Sequence, residues 1–139
     1  MDLHMDNIYK YRRVIDCLNK IKQFSKISPH MEICGFLGFD INEGKFVAKL
    51  ENNCSTDPVN FFAIDALKYL LFKEEYSMVC VFHSHIIGDE NPSEFDIKMS
   101  ENCCIPFLVY SLNTDKFKIH EPISLEYNKE MLDKIKDKL

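Results

Sequence analysis

The sequence predicts a single α/β domain in which helices pack around one mixed β-sheet. Two kinds of segment support this prediction. Segments with an apolar residue at every third or fourth position alternate with short apolar runs rich in strand-forming residues, and turn residues separate them. No repeat, low-complexity tract or linker divides the 139 residues, so one domain is expected over residues 1–139.

The N-terminal half is predicted to hold a helix followed by a hairpin. Apolar residues recur at helical spacing from Ile8 to Phe24, which indicates an amphipathic helix. The apolar run Glu32–Phe39 contains two glycines, as expected for a buried strand whose backbone is closely approached by another group. A turn at Asn42–Gly44 leads into the alternating segment Lys45–Leu50, so the two strands are expected to form a hairpin.

The C-terminal half is predicted to alternate helices and strands. Helical spacing over Phe61–Glu75 predicts a second helix, and the apolar run Met78–Phe82 suits a central strand buried on both faces. After a loop that ends at Pro92, Ser93–Asn102 is predicted as a short helix. The remaining predicted elements are the strands Ile105–Leu112 and Lys116–His120 and a helix over Leu125–Leu139. The two terminal helices are expected to cover the core, with a dimer interface as the alternative.

Composition argues against several classes of function. The 17 basic residues are scattered among 22 acidic ones, so no basic surface for nucleic acid is expected. The longest apolar runs are far shorter than the roughly 20 residues that span a bilayer. The six cysteines form no CxxC pair and the first residues show no secretory pattern, which predicts reduced thiols. The expected compartment is the cytoplasm, or a host cell's cytoplasm if the chain is phage-encoded.

The stretch His83-Ser84-His85 carries the clearest chemical signal. Residues i and i+2 of a strand face the same side, so the two imidazoles are predicted to meet at one point. Ser84 is expected to face the other side and to make packing or backbone contacts. Seven residues later a predicted helix begins, and Asp96 lies in its first turn. Two imidazoles and one carboxylate leave a fourth tetrahedral position open, which is typical of a catalytic Zn²⁺ site.

Two further residues are predicted to act at this site. Glu32 heads an apolar strand, where an ionised carboxylate is costly to bury unless a cation or a polarised water meets it, so it is the candidate general acid/base. Ser93 is the candidate donor to the oxyanion that develops on an attacked carbonyl. Each has a simpler alternative. Ser93 and Asp96 match a helix capping box, and Glu32 could be an exposed carboxylate at a strand start.

These residues together resemble the JAMM motif of the MPN+ metalloproteases. A Glu in a strand is followed by His-Ser-His, seven residues, Ser, two residues and Asp, and EICGFL resembles the family's Glu-x-Cys-Gly-x-Leu strand. The resemblance implies His83, His85 and Asp96 as zinc ligands, Glu32 as general acid/base and Ser93 as oxyanion stabiliser. It also implies a curved mixed sheet flanked by helices, related to the cytidine deaminases. Ile86 departs from the Pro that often follows the second histidine.

The resemblance implies a zinc-dependent peptidase or isopeptidase that acts on a protein or peptide. The short chain is similar to the prokaryotic and phage branch, for which a ubiquitin-like tail, a tail-assembly protein and a cell-wall peptide are the substrate alternatives. A nucleobase deaminase is excluded, because its P-C-x-x-C signature is absent. A non-catalytic MPN-type scaffold or phage tail-assembly component remains the alternative. The sequence leaves the oligomeric state open.

Overall fold

The computed structural model describes residues 7–124 and 127–139. This part of the chain forms six strands and four helices, which confirms the predicted α/β class. In chain order the elements are β1 (Ile8–Tyr11), α1 (Val14–Ile27), β2 (Cys34–Asp40), β3 (Lys45–Glu51), α2 (Ala66–Glu75), β4 (Ser77–His85), α3 (Glu94–Cys103), β5 (Phe107–Ser111), β6 (Lys116–His120) and α4 (Lys129–Lys136).

The strands form one mixed sheet in the order β1-β3-β2-β4-β5-β6. Neighbouring strands are antiparallel except for β4 and β5, which are parallel. Strand β4 carries one extra residue, Val79, between the residues that pair with Leu37 and Gly38. A bulge of this kind bends its strand and increases the local twist, so it contributes to the curvature of the sheet.

Helices cover both faces of the sheet. On one face, α1 and α4 bury side chains such as Ile21 and Leu132 against the strands. On the other face, Phe72 of α2 packs with Phe36 and Val81, and Met99 of α3 joins the edge of this cluster. Each fully buried large apolar side chain contributes roughly 1.5–3 kcal/mol to folding. Among the helices of the described residues, none is long and apolar enough to cross a membrane.

Gly35 confirms the predicted close approach to the backbone of β2. A Cβ atom added at Gly35 would lie 2.1 Å from the carbonyl oxygen of Lys49 and 2.4 Å from the Phe82 ring. No real Cβ atom sits so near a backbone oxygen. The absence of a side chain at this position therefore lets β2 lie between β3 and β4 with Phe82 packed over it.

The prediction of a helix starting at Ile8 is wrong. Residues Ile8–Tyr11 form β1, which pairs antiparallel with β3, and α1 begins only at Val14. Ile8 and Tyr11 fit a helical spacing, but they fit an edge strand equally well. The available edge of β3 decides between the two, and a local pattern cannot show that edge.

The second helix begins five residues later than predicted, at Ala66 instead of Phe61. The intervening segment is not helical, and the side-chain amide of Asn53 donates to the carbonyl oxygen of Phe61 at 3.0 Å. Asp65 then caps the helix by accepting a hydrogen bond from the Leu67 N–H at 3.0 Å. The predicted start of the last helix, Leu125, lies outside the described residues.

All six cysteines are free, as the sequence predicted. Cys17, Cys34 and Cys80 are buried. Burial raises the pKa of Cys17 to about 12 and also raises the pKa values of Cys34 and Cys80. These three thiols therefore stay protonated and act as small apolar side chains of the core, as predicted for Cys34 and Cys80.

Candidate metal centre

Two histidines lie at the C-terminal end of β4 on the face covered by α2 and α3. His83 and His85 are two residues apart on the strand, and their ring centroids are 5.2 Å apart. Ser84 points to the opposite face, where its Oγ accepts a hydrogen bond from the Ile33 N–H at 2.9 Å. The predicted directions of these three side chains are confirmed.

Asp96 reaches the same point from the first turn of α3. The Oγ of Ser93, the N-cap residue, accepts a hydrogen bond from the Asp96 N–H at 3.0 Å, and Oδ2 of Asp96 accepts one from the Ser93 N–H at 2.9 Å. This capping box holds Oδ2 at 3.1 Å from Nε2 of His83 and at 3.1 Å from Nε2 of His85. The capping box and the convergence with the histidines therefore occur together.

The environment of His83 fits a cation. Its side chain is completely buried, and neither ring nitrogen has a hydrogen-bond partner among the described residues, although Nε2 lies 3.1 Å from Oδ2 of Asp96. An unsatisfied buried polar group costs about 1–3 kcal/mol. Ligand atoms of His83, His85 and Asp96 lie within 4.8 Å of one another, so a single metal ion could contact all three.

Burial and neighbouring groups set the charges of two of these residues. Burial lowers the pKa of His83, and the opposing effect of Asp96 is smaller, so this imidazole stays neutral. Burial raises the pKa of Asp96, but the two imidazoles and the Ser93 N–H together lower it by more, so this carboxyl is ionised. A neutral imidazole and a carboxylate are the forms that ligate a metal ion.

The ring of His85 is oriented by the loop that follows β4. Its Nδ1 lies 2.9 Å from the carbonyl oxygen of Asp89. A carbonyl oxygen can only accept, so Nδ1 carries the hydrogen and Nε2 faces Asp96. Burial lowers the pKa of His85, but Asp96 and the Asp89 carbonyl raise it by more. A bound metal ion would therefore replace a proton at Nε2.

Glu32 lies two residues before β2 and borders this cluster. Its side chain is only 5% exposed, so the alternative of an exposed carboxylate at a strand start is wrong. The Glu32 N–H donates to the Pro58 carbonyl oxygen at 2.7 Å, and its carbonyl oxygen accepts from Nδ2 of Asn53 at 2.9 Å. Burial raises the pKa of Glu32 to about 8, while His85 lowers it and Asp96 raises it.

A family comparison covers this whole site. Residues 16–121, which include Glu32, both histidines, Ser93 and Asp96, match the sequence profile described as prokaryotic homologs of the JAB domain. The chain belongs to this family. The predicted resemblance is therefore confirmed at the level of the JAB/MPN domain, and the six-stranded sheet with its helices is consistent with the fold of that domain.

A solved structure supports the fold of this JAB domain. It is similar to the solution structure of protein DSY2949 from Desulfitobacterium hafniense, with a TM-score of 0.55 and 19% identity over 85% of this chain and 94% of that chain. A protein from Salinibacter ruber gives a TM-score of 0.44 and 18% identity over 80% and 89% of the two chains. No curated protein matches the chain. At 19% identity, the first similarity shows the fold alone.

Ser93 of the JAB domain performs the helix-capping role that the sequence predicted as an alternative. Its Oγ accepts from the Asp96 N–H, and that bond does not use the hydroxyl hydrogen. The residue is exposed, so a substrate could reach the hydroxyl. Its role toward an oxyanion stays a prediction.

Sequence reasoning missed the aromatic surroundings of His83. The Phe62 ring stacks on the imidazole with centroids 4.3 Å apart and planes 22° from parallel, and Phe107 meets it edge-on at 5.9 Å. Phe62 was assigned to a helix, and no local pattern separates an aromatic that packs on a ligand from any other. His30 is exposed and His120 pairs with Glu101 at 2.8 Å, so neither joins the cluster, while His4 lies outside the described residues.

Proposed function

We propose that this JAB-domain chain is a zinc metallopeptidase that hydrolyses a peptide or isopeptide bond. The observation that carries the proposal is the convergence of His83, His85 and Asp96, with both ring nitrogens of His83 buried and lacking a hydrogen bond to any described residue. The JAB/MPN family includes hydrolases, which supports the assignment of this ligand set to catalysis.

The donor set suits zinc and disfavours Mg²⁺ and Ca²⁺. Two imidazole nitrogens and one carboxylate oxygen are typical ligands of catalytic zinc, whereas Mg²⁺ and Ca²⁺ select sites made of oxygens. Zinc in this position would act as a Lewis acid and would lower the pKa of a coordinated water toward neutrality. His83, His85 and Asp96 would hold the ion as three protein ligands, so it could still bind that water or the substrate.

The chain's own residues would then handle the proton and the developing charge. Glu32 accepts the proton of the attacking water on its carboxylate and delivers it to the leaving nitrogen. Its buried position suits this task, because a nearby cation favours the ionised form while burial favours the protonated form. The Ser93 hydroxyl donates a hydrogen bond to the carbonyl oxygen as negative charge develops there. This hydrogen bond lowers the activation free energy by a few kcal/mol.

The proposed substrate is a protein or peptide, for which a ubiquitin-like tail, a tail-assembly protein and a cell-wall peptide are the alternatives. The absence of a basic surface in the sequence argues against nucleic acid as a partner. The six free cysteines suit a reducing compartment, so the proposed location is the cytoplasm, of the producing cell or of a phage host.

Metal analysis and hydrolysis assays on matched variants test this proposal. The wild type is expected to purify with about one zinc per chain, and His83→Ala with His85→Ala is expected to lose it. Glu32→Gln should keep the metal and lose hydrolysis by about a thousandfold or more, because the general acid/base is gone. The substrates are a proteome-derived peptide library and fusions to small ubiquitin-like proteins.

His120→Ala is the matched control, since it removes an imidazole that pairs with Glu101 and not with the cluster. It should retain both zinc and hydrolysis. A wild type without stoichiometric metal, or hydrolysis that survives unchanged in Glu32→Gln, would refute the proposal.

A non-catalytic binding role is the second candidate, and one observation favours it. The outer side of α2 exposes Leu67, Leu70 and Leu71, with 58%, 54% and 47% of their surface accessible. Adjacent exposed leucines on one helix are typical of surfaces that bind another protein. A stable partner complex that forms equally in the wild type and in the double histidine variant, with no hydrolysis in either, would favour this role.

A further inference from the structure

An apolar cavity lies beside the metal centre on the same face of the sheet. It occupies about 410 Å³ between α2, α3 and the strands β2, β4 and β5. Twelve of the described residues line it, and of these twelve only Tyr69 and Cys103 carry a polar side-chain atom. A cavity of this size and composition accommodates a large apolar group and offers almost nothing to a polar one.

The cavity shares its walls with the ligand cluster. Phe62 lines the cavity and stacks on the imidazole of His83. Val81 also lines it and lies two residues before His83 on the same face of β4, which places the two about 7 Å apart along the strand. On the other side, Phe95 lines the cavity and directly precedes Asp96 in α3.

The mouth of the cavity is open to solvent. Phe95 and Phe61 are each 44% exposed and meet edge-on with ring centroids 5.4 Å apart. Exposed aromatic rings at an apolar cavity are typical of sites that bind an apolar ligand group. An extended peptide advances about 3.3 Å per residue, so a peptide bound at the metal centre places side chains of its next one to three residues within reach.

We propose that this cavity is a specificity pocket that takes one large apolar side chain, aromatic or aliphatic, of a peptide substrate, close to the bond that is cut. The inference rests on the proposed peptidase function for the cleavage step. Binding of the side chain does not depend on catalysis, so it can be tested independently.

The first test compares cleavage profiles on a proteome-derived peptide library. The wild type is expected to prefer Phe, Leu or Met at one position within three residues of the cut. Ala66→Phe and Ala63→Phe add a ring to small residues that line the cavity, and each is expected to lower kcat/KM for those substrates by about tenfold or more. Their zinc content should stay at the wild-type level.

Lys98→Phe is the matched control, because it adds the same ring to an exposed position of α3 that does not line the cavity. It should retain the wild-type preference. Cleavage without any apolar preference, or an unchanged preference in both filling variants, would overturn the pocket and leave the peptidase proposal standing.

The second test needs no hydrolysis and uses the thiol of Cys103 in the cavity wall. The capped peptide Gly-Gly-Phe-Gly-Gly is expected to slow alkylation of Cys103 by iodoacetamide, whereas the version with Ser in place of Phe should not. Cys54 is exposed and does not line the cavity, so its alkylation in the same sample is the internal reference. Mass spectrometry reads both sites.

The two tests separate the two proposals. If the Phe peptide protects Cys103 but neither the peptide library nor the ubiquitin-like fusions are hydrolysed, the pocket is supported and the peptidase proposal is refuted. Equal alkylation with and without the Phe peptide overturns the pocket. If Cys103 becomes more protected as the protein concentration rises in the absence of peptide, a second copy of the chain fills the cavity. That result would also overturn the proposal.

Discussion

Asp96 has two structural tasks at once. Its Oδ2 accepts the Ser93 N–H that closes the capping box, and the same atom lies 3.1 Å from both histidine Nε2 atoms. Because α3 itself fixes the Asp96 side chain, no further residue is needed to orient its carboxylate toward the two histidines. Changes to the cap are therefore expected to affect both the stability of α3 and the affinity for metal.

Ser93→Ala tests this link. The variant loses the acceptor for the Asp96 N–H, so the free energy of unfolding should fall by about 1 kcal/mol, and zinc affinity should fall by about tenfold or more. Urea denaturation and competitive zinc titration measure the two effects. Ser93→Thr keeps a capping hydroxyl and should retain both values, whereas an affinity unchanged in Ser93→Ala would contradict the link.

Gly35→Ala is expected to be strongly destabilising. The added methyl would collide with the Lys49 carbonyl oxygen and the Phe82 ring, so β2 or β3 must shift. Overpacking of this kind costs typically about 1–3 kcal/mol, which thermal and urea unfolding would detect. Gly44→Ala is the comparison for a turn glycine, because no atom of the described residues lies within 4 Å of a Cβ there and the cost comes from its positive φ. An unchanged stability in Gly35→Ala would contradict the close packing.

At the scale of elements, the Glu121 carboxylate connects α4 to the end of β6 through hydrogen bonds and ion pairs. Glu121 accepts hydrogen bonds from Nζ of Lys136 at 2.9 Å and from the Tyr127 hydroxyl at 3.1 Å, and it also pairs with Lys129. The two lysines, ahead of the opposing effect of burial, lower the pKa of Glu121 to about 2. The C-terminal helix is thus joined to the sheet by charge in addition to its apolar contacts.

This arrangement predicts a specific dependence of stability on pH. The folded-state pKa lies below the unfolded value, so the contribution of Glu121 is complete above about pH 4.5 and is lost as the pH falls toward about 2. Glu121→Gln should lower the free energy of unfolding by about 1 kcal/mol at pH 7, since the pairs are partly exposed, and by much less near pH 2. Glu130→Gln is the control, and equal losses at both pH values would contradict the prediction.

The sequence predicted the elements that local patterns determine. Strand alternation placed His83 and His85 on one face, and the capping pattern placed Asp96 in a first helical turn. The two incorrect predictions, for β1 and for the start of α2, have a tertiary cause. Strand β1 exists because β3 offers an edge, and residues 61–65 are not helical, with their backbone bound by the side chain of Asn53. No local periodicity contains either fact.

At the scale of the whole molecule, a metal ion bound by the three side chains would link β4 to α3. β4 provides the two histidines and α3 provides Asp96, and these elements are otherwise connected by the loop after β4. Any ion that binds only the folded state stabilises it in proportion to its affinity and concentration.

Zinc is therefore expected to raise the thermal stability of the protein. At a free concentration of about 100 times the dissociation constant, the gain is about 2.7 kcal/mol. For a chain of this size this corresponds to an increase in Tm of roughly 5–10 °C. Differential scanning calorimetry before and after chelation measures the change. The Tm of the double variant His83→Ala with His85→Ala should be the same before and after chelation. A wild type whose Tm does not change on chelation would contradict the expectation.

The shared carboxylate of the capping box has a consequence for how an ion is captured. Because α3 fixes Asp96 and the Asp89 carbonyl fixes the ring of His85, folding alone orients these two side chains before an ion arrives. Little conformational entropy is then lost when the ion arrives. The association rate should approach the rate at which a hydrated ion exchanges its water ligands. Differences in affinity among variants should therefore arise mainly from the dissociation rate of the ion.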